Sequence, residues 1–404
     1  MVARLIETSR RLLAATDFPH HRFLYERFNL DERLTGLVGP RGTGKTTLLL
    51  QYMKERVTNP EECLYTALDN IYFAGRRLVD FVAQLYDFHG IRTFFFDEVH
   101  KYPDWNQELK NIYDSYPDLR IVFSGSSSID LLHGAYDLSR RGVLFRLPGL
   151  SFREYLLFNG LADIAPVSLD KLLDEPGPLA EQVAAIRRLP GHFNDYLARG
   201  YYPFHLEGAR NYPEKLLRVI EKTIFEDIST FYQLKTGNLA NFKRILSFLA
   251  TIPPGELNRN TIARNLGVDH KTVHNYLNIL RETGLVELLA ENKAGGNLLK
   301  ATEKLYLDNP NLYSVITAEI GCHPPQVGTL REIFFIKAIR NSGSAIFFSR
   351  TGDFEVGGRF FEIGSRSKNR RQLKTRPRES YLVKADILYA GKAELPLHLF
   401  GFLY

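Results

Sequence analysis

The chain is poor in sulfur and in tryptophan. Its 404 residues include two cysteines, two methionines and one tryptophan. Cys63 and Cys322 alone exclude a disulfide framework and a Cys-rich metal site, and they fit a reducing compartment. Long apolar runs are missing too: none reaches the ~20 residues that span a bilayer. Met1 to Asp17, punctuated by Arg4, Arg10 and Arg11, lacks the apolar core of a signal peptide. A soluble cytoplasmic protein with no membrane partner is expected. A general excess of one charge is also lacking. The net charge is +6, but residues 359–378 hold eight basic side chains (Arg359, Arg366, Lys368, Arg370, Arg371, Lys374, Arg376, Arg378) against Glu362 alone. That segment carries +7, so the remaining 384 residues of the +6 chain carry −1.

What is present is an ordinary globular composition, 44% hydrophobic and 24% charged, which argues against wholesale disorder. At roughly 100–200 residues per domain the length implies two to four domains. The first third alternates short apolar runs with amphipathic stretches. Strands are predicted at 34–38, 63–68, 92–96, 121–123 and 143–147, and helices at 46–57, 78–89 and 105–116. This alternation predicts an α/β unit built on a parallel sheet. Beyond 150 the pattern turns helical. Ser151-Phe152-Arg153-Glu154 reads as a capping box, and helix breaks are predicted near 176–178, 190–191 and 253–255. Residues 325–404 return to short strands.

The strongest motif is Gly39-Pro40-Arg41-Gly42-Thr43-Gly44-Lys45-Thr46, directly after a strand and opening a helix. It fits G-x-x-x-x-G-K-[ST]. Glycines let backbone amides turn inward and cradle phosphate oxygens, and the helix N-terminus adds positive potential. Residues 39–47, through Thr47, are therefore candidate ATP-binding residues. Lys45 would reach the β- and γ-phosphates, and the Thr46 hydroxyl would ligate Mg²⁺. The required partner is an apolar strand ending in an acid. Thr93-Phe94-Phe95-Phe96-Asp97-Glu98 supplies it: Asp97 would hold Mg²⁺ through water and Glu98 would polarise the attacking water. Ile121-Val122-Phe123-Ser124-Gly125-Ser126 ends a further strand in small polar residues. Ser124 is the better candidate to sense the γ-phosphate or the water, against a plain Ser-rich turn. Arg140 and Arg141 precede the next strand; one would stabilise charge on the transferred phosphoryl group, within its subunit or across an interface, or both are a solvated pair.

Together these residues resemble the AAA-type ATPases of bacteria and archaea that carry a C-terminal domain of unknown function. The more specific matches are Phe96-Asp97-Glu98-Val99-His100-Lys101-Tyr102-Pro103-Asp104-Trp105, Ser124-Gly125-Ser126-Ser127, Ser139-Arg140-Arg141, Pro148-Gly149-Leu150-Ser151-Phe152-Arg153-Glu154-Tyr155 and Gly200-Tyr201-Tyr202-Pro203. Counted back from Ser151-Phe152, Arg141 falls on the family arginine. The resemblance implies a C-terminal domain related to PD-(D/E)XK nucleases, whose chemistry needs an Asp, a Glu and a Lys. Asp353 and Glu362 match, and Glu332 matches a preceding helix acid. Gly364 stands at the Lys position, with Lys368 nearby but off the motif spacing. The domain is read as nuclease-shaped and inactive, against an active form with a migrated lysine.

Residues 261–277 read as a helix-turn-helix, with Leu285 to Leu289 starting a wing. In a DNA reader the second helix would present Asp269, His270, Lys271, His274 and Asn275 to the major groove. Only Lys271 is firmly charged, so a packing or protein-contact module is the competing reading. The basic segment is either a solvated loop or a contact for nucleic acid or an acidic protein. It lacks interleaved aromatics, which argues against stacking on single strands.

The expected architecture is an AAA-type P-loop ATPase domain over 1–150, a helical lid over 151–240, a winged helix-turn-helix over 241–310 and a nuclease-like domain over 311–404. The expected function is Mg²⁺-dependent ATP hydrolysis driving a switch on a partner. The alternatives are a nucleic-acid-binding regulator that uses ATP as a switch, and an ATP-gated Mg²⁺-dependent nuclease. An arginine acting across subunits would imply a homo-oligomer.

Overall fold

The computed structural model describes residues 2–125, 138, 140–232, 234, 236–255, 258–293, 302–368, 380–391 and 393–404. The chain divides into two compact units, Met1–Gly149 and Leu150–Tyr404.

In the first unit, helix α1 (Val2–Ala15) precedes β1 (Leu34–Val38), α2 (Lys45–Glu55), β2 (Cys63–Ala67), α3 (Leu78–His89), β3 (Thr93–Asp97), α4 (Trp105–Ser115), β4 (Arg120–Gly125) and β5 (Val143–Arg146). The five strands form one parallel sheet in the order β2-β3-β4-β1-β5. Parallel strands covered on both faces need apolar side chains on both, and β3 meets that need with Phe94, Phe95 and Phe96, all fully buried. Alternation sends Phe94 and Phe96 toward Leu78, Phe81 and Leu85 of α3 and Leu109 and Ile112 of α4. Phe95 faces the other way, onto a cluster with Leu37 and with Leu48, Leu49 and Met53 of α2. Register places Phe96 opposite Phe123, and Leu37 opposite Ser124. The ends of β1, β3 and β4 therefore lie side by side at the carboxyl edge of the sheet, where open α/β sheets bind ligands.

The second unit opens with helix Phe152–Phe158. Ser151 Oγ accepts from the Glu154 amide at 3.1 Å and Glu154 Oε2 accepts from the Ser151 amide at 3.0 Å, a complete capping box. Two of the predicted breaks are instead helix starts. Pro176 is the first residue of helix Pro176–Ala184, and Pro190 sits in the first turn of Leu189–Arg199. Proline lacks only an N–H that the first turn leaves unpaired anyway. Helix Arg259–Leu266 ends at Gly267, and Asp269 caps helix His270–Glu282 by accepting from the Thr272 amide at 2.9 Å. An antiparallel pair follows, β6 (Val286–Ala290) with β7 (Glu303–Leu307). After helices Pro310–Glu319 and Val327–Asn341 comes a mixed sheet, β12-β11-β10-β9-β8, of β8 (Phe347–Phe348), β9 (Phe354–Val356), β10 (Arg359–Gly364), β11 (Ser380–Lys384) and β12 (Glu394–Pro396). One buried apolar cluster runs from Phe152 through Leu280, Tyr306 and Phe335 to Leu403, so these elements share a core. No described helix is long and apolar enough to cross a membrane.

Candidate active site

The loop between β1 and α2 makes a left-handed turn. Gly42 has φ 84° and Gly44, the residue before α2, has φ 89°. A Cβ is disfavoured in this conformation, which explains glycine at both places. The buried Lys45 ammonium donates to the carbonyls of Gly39 and Pro40, each at 2.9 Å. It is thus held over the mouth of the loop. Thr43 Oγ1 donates to the Pro40 carbonyl at 2.9 Å. The buried Arg22 guanidinium donates to the carbonyls of Thr43, Pro148 (2.8 Å) and Gly149 (3.0 Å), tying the loop to the last residues of the first unit.

Asp97 ends β3 and is 2% exposed. Its Oδ2 accepts from Thr46 Oγ1 at 2.5 Å and from the Tyr65 phenol at 2.8 Å. Its Oδ1 accepts from Ser124 Oγ and from the Glu98 amide, the latter at 3.1 Å. Four donors from four segments converge on one carboxylate. Burial and then the Asp97 charge push the Tyr65 phenol far above its ordinary range, so it stays a neutral donor. The backbone turns sharply at Glu98, which is left-handed (φ 53°, ψ 40°). Such a conformation is strained for a residue with a Cβ, and strain of this kind collects at functional sites. The turn over Val99–Lys101 brings the buried His100 ring back, with Nε2 3.5 Å from Glu98 Oε2.

The structure therefore gathers Gly39 to Thr47, Asp97, Glu98 and Ser124 at one sheet edge. The Ser124 hydroxyl is fully buried and spent on Asp97. Arg141 is elsewhere. It precedes β5, whose Val143 pairs with Thr35, four residues before Gly39. At ~3.3 Å per residue that is about 13 Å from the loop along the strands. There the Arg141 guanidinium holds Asp114 near the end of α4, with Nε 3.2 Å from Oδ1 and an Nη 3.3 Å from Oδ2. Ser126, Ser127 and Ser139 lie outside the described residues. Tyr65, Arg22 and His100 were not singled out from sequence. Tyr65 had one available signal: a polar tip on the same strand face as Ala67, the neighbour of Asp97.

Hydroxyl and carboxylate oxygens are hard donors, so Thr46 and Asp97 fit Mg²⁺. Among the described residues no group of three or more His, Cys, Asp or Glu side chains is arranged to hold a metal. A Mg²⁺ here would draw its remaining ligands from phosphate and water, as this ion commonly does.

A second polar cluster lies in the other unit. Lys368 Nζ stands 2.6 Å from Oε1 of the fully buried Glu362. A Cβ on Gly364 would meet the Lys368 side chain at 2.5 Å, so the lysine stem fills the space beside Gly364. Asp353 Oδ2 accepts from the Ile363 amide at 2.7 Å, and Glu332 Oε2 accepts from the Tyr306 phenol at 2.8 Å. Burial, then the Asp353 charge, raises the Glu332 carboxyl to about 7. Burial raises Asp353 and Glu362 as well. Of the basic segment, Arg359 pairs with Asp170 at 2.6 Å and Lys368 with Glu362. Arg370, Arg371, Lys374, Arg376 and Arg378 lie outside the described residues. On helix His270–Glu282, the residues His270, Lys271, His274 and Asn275 are exposed.

Two family models match the chain. The AAA domain model matches residues 31–156, and the model of a domain of unknown function, DUF8612, matches residues 191–318. No curated protein matches. Among solved structures the chain is similar to PCH-2 of C. elegans, at 18% identity and TM-score 0.27, over 50% of this chain and 57% of that one. It is also similar to AMPPCP-bound DnaA from Aquifex aeolicus (16%, TM-score 0.26, 70% of this chain and 89% of that one). A third is the S. cerevisiae Hsp104:casein complex (16%, TM-score 0.25, 70% and 49%). The chain thus spans a little over half of PCH-2 and about half of Hsp104. These likenesses are loose, and the assignment rests on the chain's own strand order, phosphate loop and family match. Residues 31–156 of this chain match the AAA domain model, and the parallel five-stranded sheet of the first unit, with a phosphate loop after β1, fits the α/β fold of the P-loop NTPases.

Proposed function

We propose that the protein binds ATP with Mg²⁺ at residues 39–47 and hydrolyses it, and that the cycle drives a switch on a partner. The observation that carries this reading is the Thr46–Asp97 pair at 2.5 Å, beside the phosphate loop and directly before Glu98. Loop amides and Lys45 bind the phosphates. Thr46 and Asp97 hold Mg²⁺, which when bound neutralises charge on the phosphates. Glu98 orients the attacking water and accepts its proton. Ser124 acts through Asp97 and, on the sensor reading, reports phosphate loss. Arg141 is too far from its own loop to serve it, so its role in charge stabilisation requires a neighbouring subunit and hence a homo-oligomer. Loss of the γ-phosphate removes contacts that hold one conformation, which is how such sites switch.

The subdivision of the second unit into a lid to 240, a winged helix over 241–310 and a nuclease-like domain from 311 belongs to the same proposal. Two helices joined at Gly267 and followed by the β6–β7 pair support the winged-helix reading. The Lys368 ammonium on Glu362, with Gly364 beneath it, supports a nuclease-like site without catalysis. The experiment is a comparison of variants. Glu98→Gln is expected to bind ATP and hydrolyse it far more slowly, and Lys45→Ala to lose affinity. Equal hydrolysis by wild type and Glu98→Gln would overturn the catalytic assignment. A regulator that contacts nucleic acid through 359–378 or the exposed helix face is the second reading. It requires DNA binding that weakens with salt and on neutralising Arg370, Arg371 and Lys374.

A further inference from the structure

Tyr65 sits in the middle of β2, at the outer edge of the sheet, and is 6% exposed. Its backbone amide donates to Ser9 Oγ of α1 at 3.1 Å, so α1 caps this edge at the tyrosine itself. The strand alternates, so Tyr65 and Ala67 share a face, and Ala67 pairs with Asp97. The phenol therefore runs along the α2 side of the sheet and ends 2.8 Å from Asp97 Oδ2, the same oxygen that Thr46 Oγ1 reaches.

A carboxylate offers about four lone-pair sites, and Asp97 receives four donors. Three of them, the Ser124 hydroxyl, the Glu98 amide and the Tyr65 phenol, belong to sheet strands or their immediate ends. The fourth, Thr46, is the exposed second residue of α2. On Oδ2, Tyr65 is the only one of the two with a rigid, buried attachment. We propose that Tyr65 is a positioning residue for the metal-holding carboxylate: its phenol fixes the rotation of Asp97, so that Oδ2 meets the Thr46 hydroxyl in the orientation that suits Mg²⁺. This inference rests on the ATPase reading of the site. It assigns no contact between Tyr65 and nucleotide.

The test is Tyr65→Phe in the full chain, which keeps the ring and removes one hydroxyl. Binding of a non-hydrolysable ATP analogue is measured by calorimetry with and without Mg²⁺, beside a thermal melt. Metal-free affinity is expected to stay within about twofold of wild type, while the tightening produced by Mg²⁺ falls about tenfold, the scale of one lost hydrogen bond to a charged group. In turnover assays the Mg²⁺ concentration for half-maximal rate rises, and high Mg²⁺ restores most of the rate. An equal loss of affinity with and without Mg²⁺ would mean that the phenol only supports the fold and would overturn the proposal. So would an unchanged Mg²⁺ response. Failure of the wild type to bind the analogue at all would instead overturn the ATPase reading.

Discussion

Thr46 Oγ1 donates to Asp97 Oδ2 at 2.5 Å, joining the first turn of α2 to the end of β3 across 51 residues of sequence. Neither residue has chemistry of its own to offer at that distance from the other in the chain. Their meeting is a product of strand order, because β1 and β3 both flank β4 and point the same way.

The first prediction concerns the four donors on that carboxylate. Asp97→Asn replaces one acceptor oxygen with an NH₂ group: on the Oδ1 side it would face the Glu98 amide, which cannot accept, and on the Oδ2 side it would force the Thr46 and Tyr65 hydroxyls to turn and accept instead of donating. Loss of about 1–3 kcal/mol of stability is expected, with hydrolysis falling more steeply than nucleotide affinity. Denaturant melts and single-turnover assays check both. Wild-type stability in the variant would contradict the hydrogen-bond count.

A second prediction separates structure from catalysis at Arg141. Its pair with Asp114 is half-exposed, so Arg141→Ala is expected to cost under about 1 kcal/mol. If the arginine serves a neighbouring subunit, hydrolysis falls about 10³-fold. Mixing Arg141→Ala with Glu98→Gln then restores part of the activity, because one interface pairs an intact Glu98 site with an intact arginine. No recovery on mixing, with assemblies shown to exchange subunits, would remove the role across subunits.

Glu332 carries a third. Its carboxyl is raised to about 7 from an ordinary 4.5, chiefly by burial. The folded state therefore holds a proton that the unfolded chain has lost. Stability from this group is complete below pH 4.5 and disappears as pH rises through 7, a swing of about 3 kcal/mol. Glu332→Gln keeps an acceptor for the Tyr306 phenol and removes the charge. It is expected to raise the melting temperature by several degrees at pH 8 and to leave it nearly unchanged at pH 4.5. Equal effects at both values would argue against a buried, protonated Glu332.

His398 gives the opposite slope. It is 3% exposed, packs near Phe193, and its Nε2 has no hydrogen-bond partner among the described residues. Burial lowers its pKa from 6.5 to about 4. Above pH 6.5 folded and unfolded chains are both neutral here. Between 6.5 and 4 only the unfolded chain takes the proton, so stability falls with pH by up to about 3 kcal/mol. His398→Phe is expected to flatten that part of the acid unfolding curve. A curve parallel to wild type between pH 6.5 and 4 would assign the acid sensitivity to other groups.

Much of the first unit was legible because its signals are local. A strand of three phenylalanines between helices has one comfortable place, in a parallel sheet covered on both sides. A glycine loop opening a helix has one common use. The second unit was less legible. Prolines at 176 and 190 read as breaks because sequence alone does not show whether a proline falls inside a helix or on its first turn. The lysine beside Gly364 could be counted in the sequence but not placed.

The sequence by itself determined the phosphate loop, the strand ending in Asp97 and Glu98, the capping box at Ser151 and the concentration of positive charge after 358. Each depends on neighbours within a few residues. The tertiary structure alone decided what gathers on Asp97. Thr46, Tyr65 and Ser124 come from three different segments, and only sheet register brings their hydroxyls within hydrogen-bond reach of one carboxylate. It also decided that Arg141 stands at the far end of the strands from the loop. Distance across a sheet is set by pairing, which no single stretch of chain encodes.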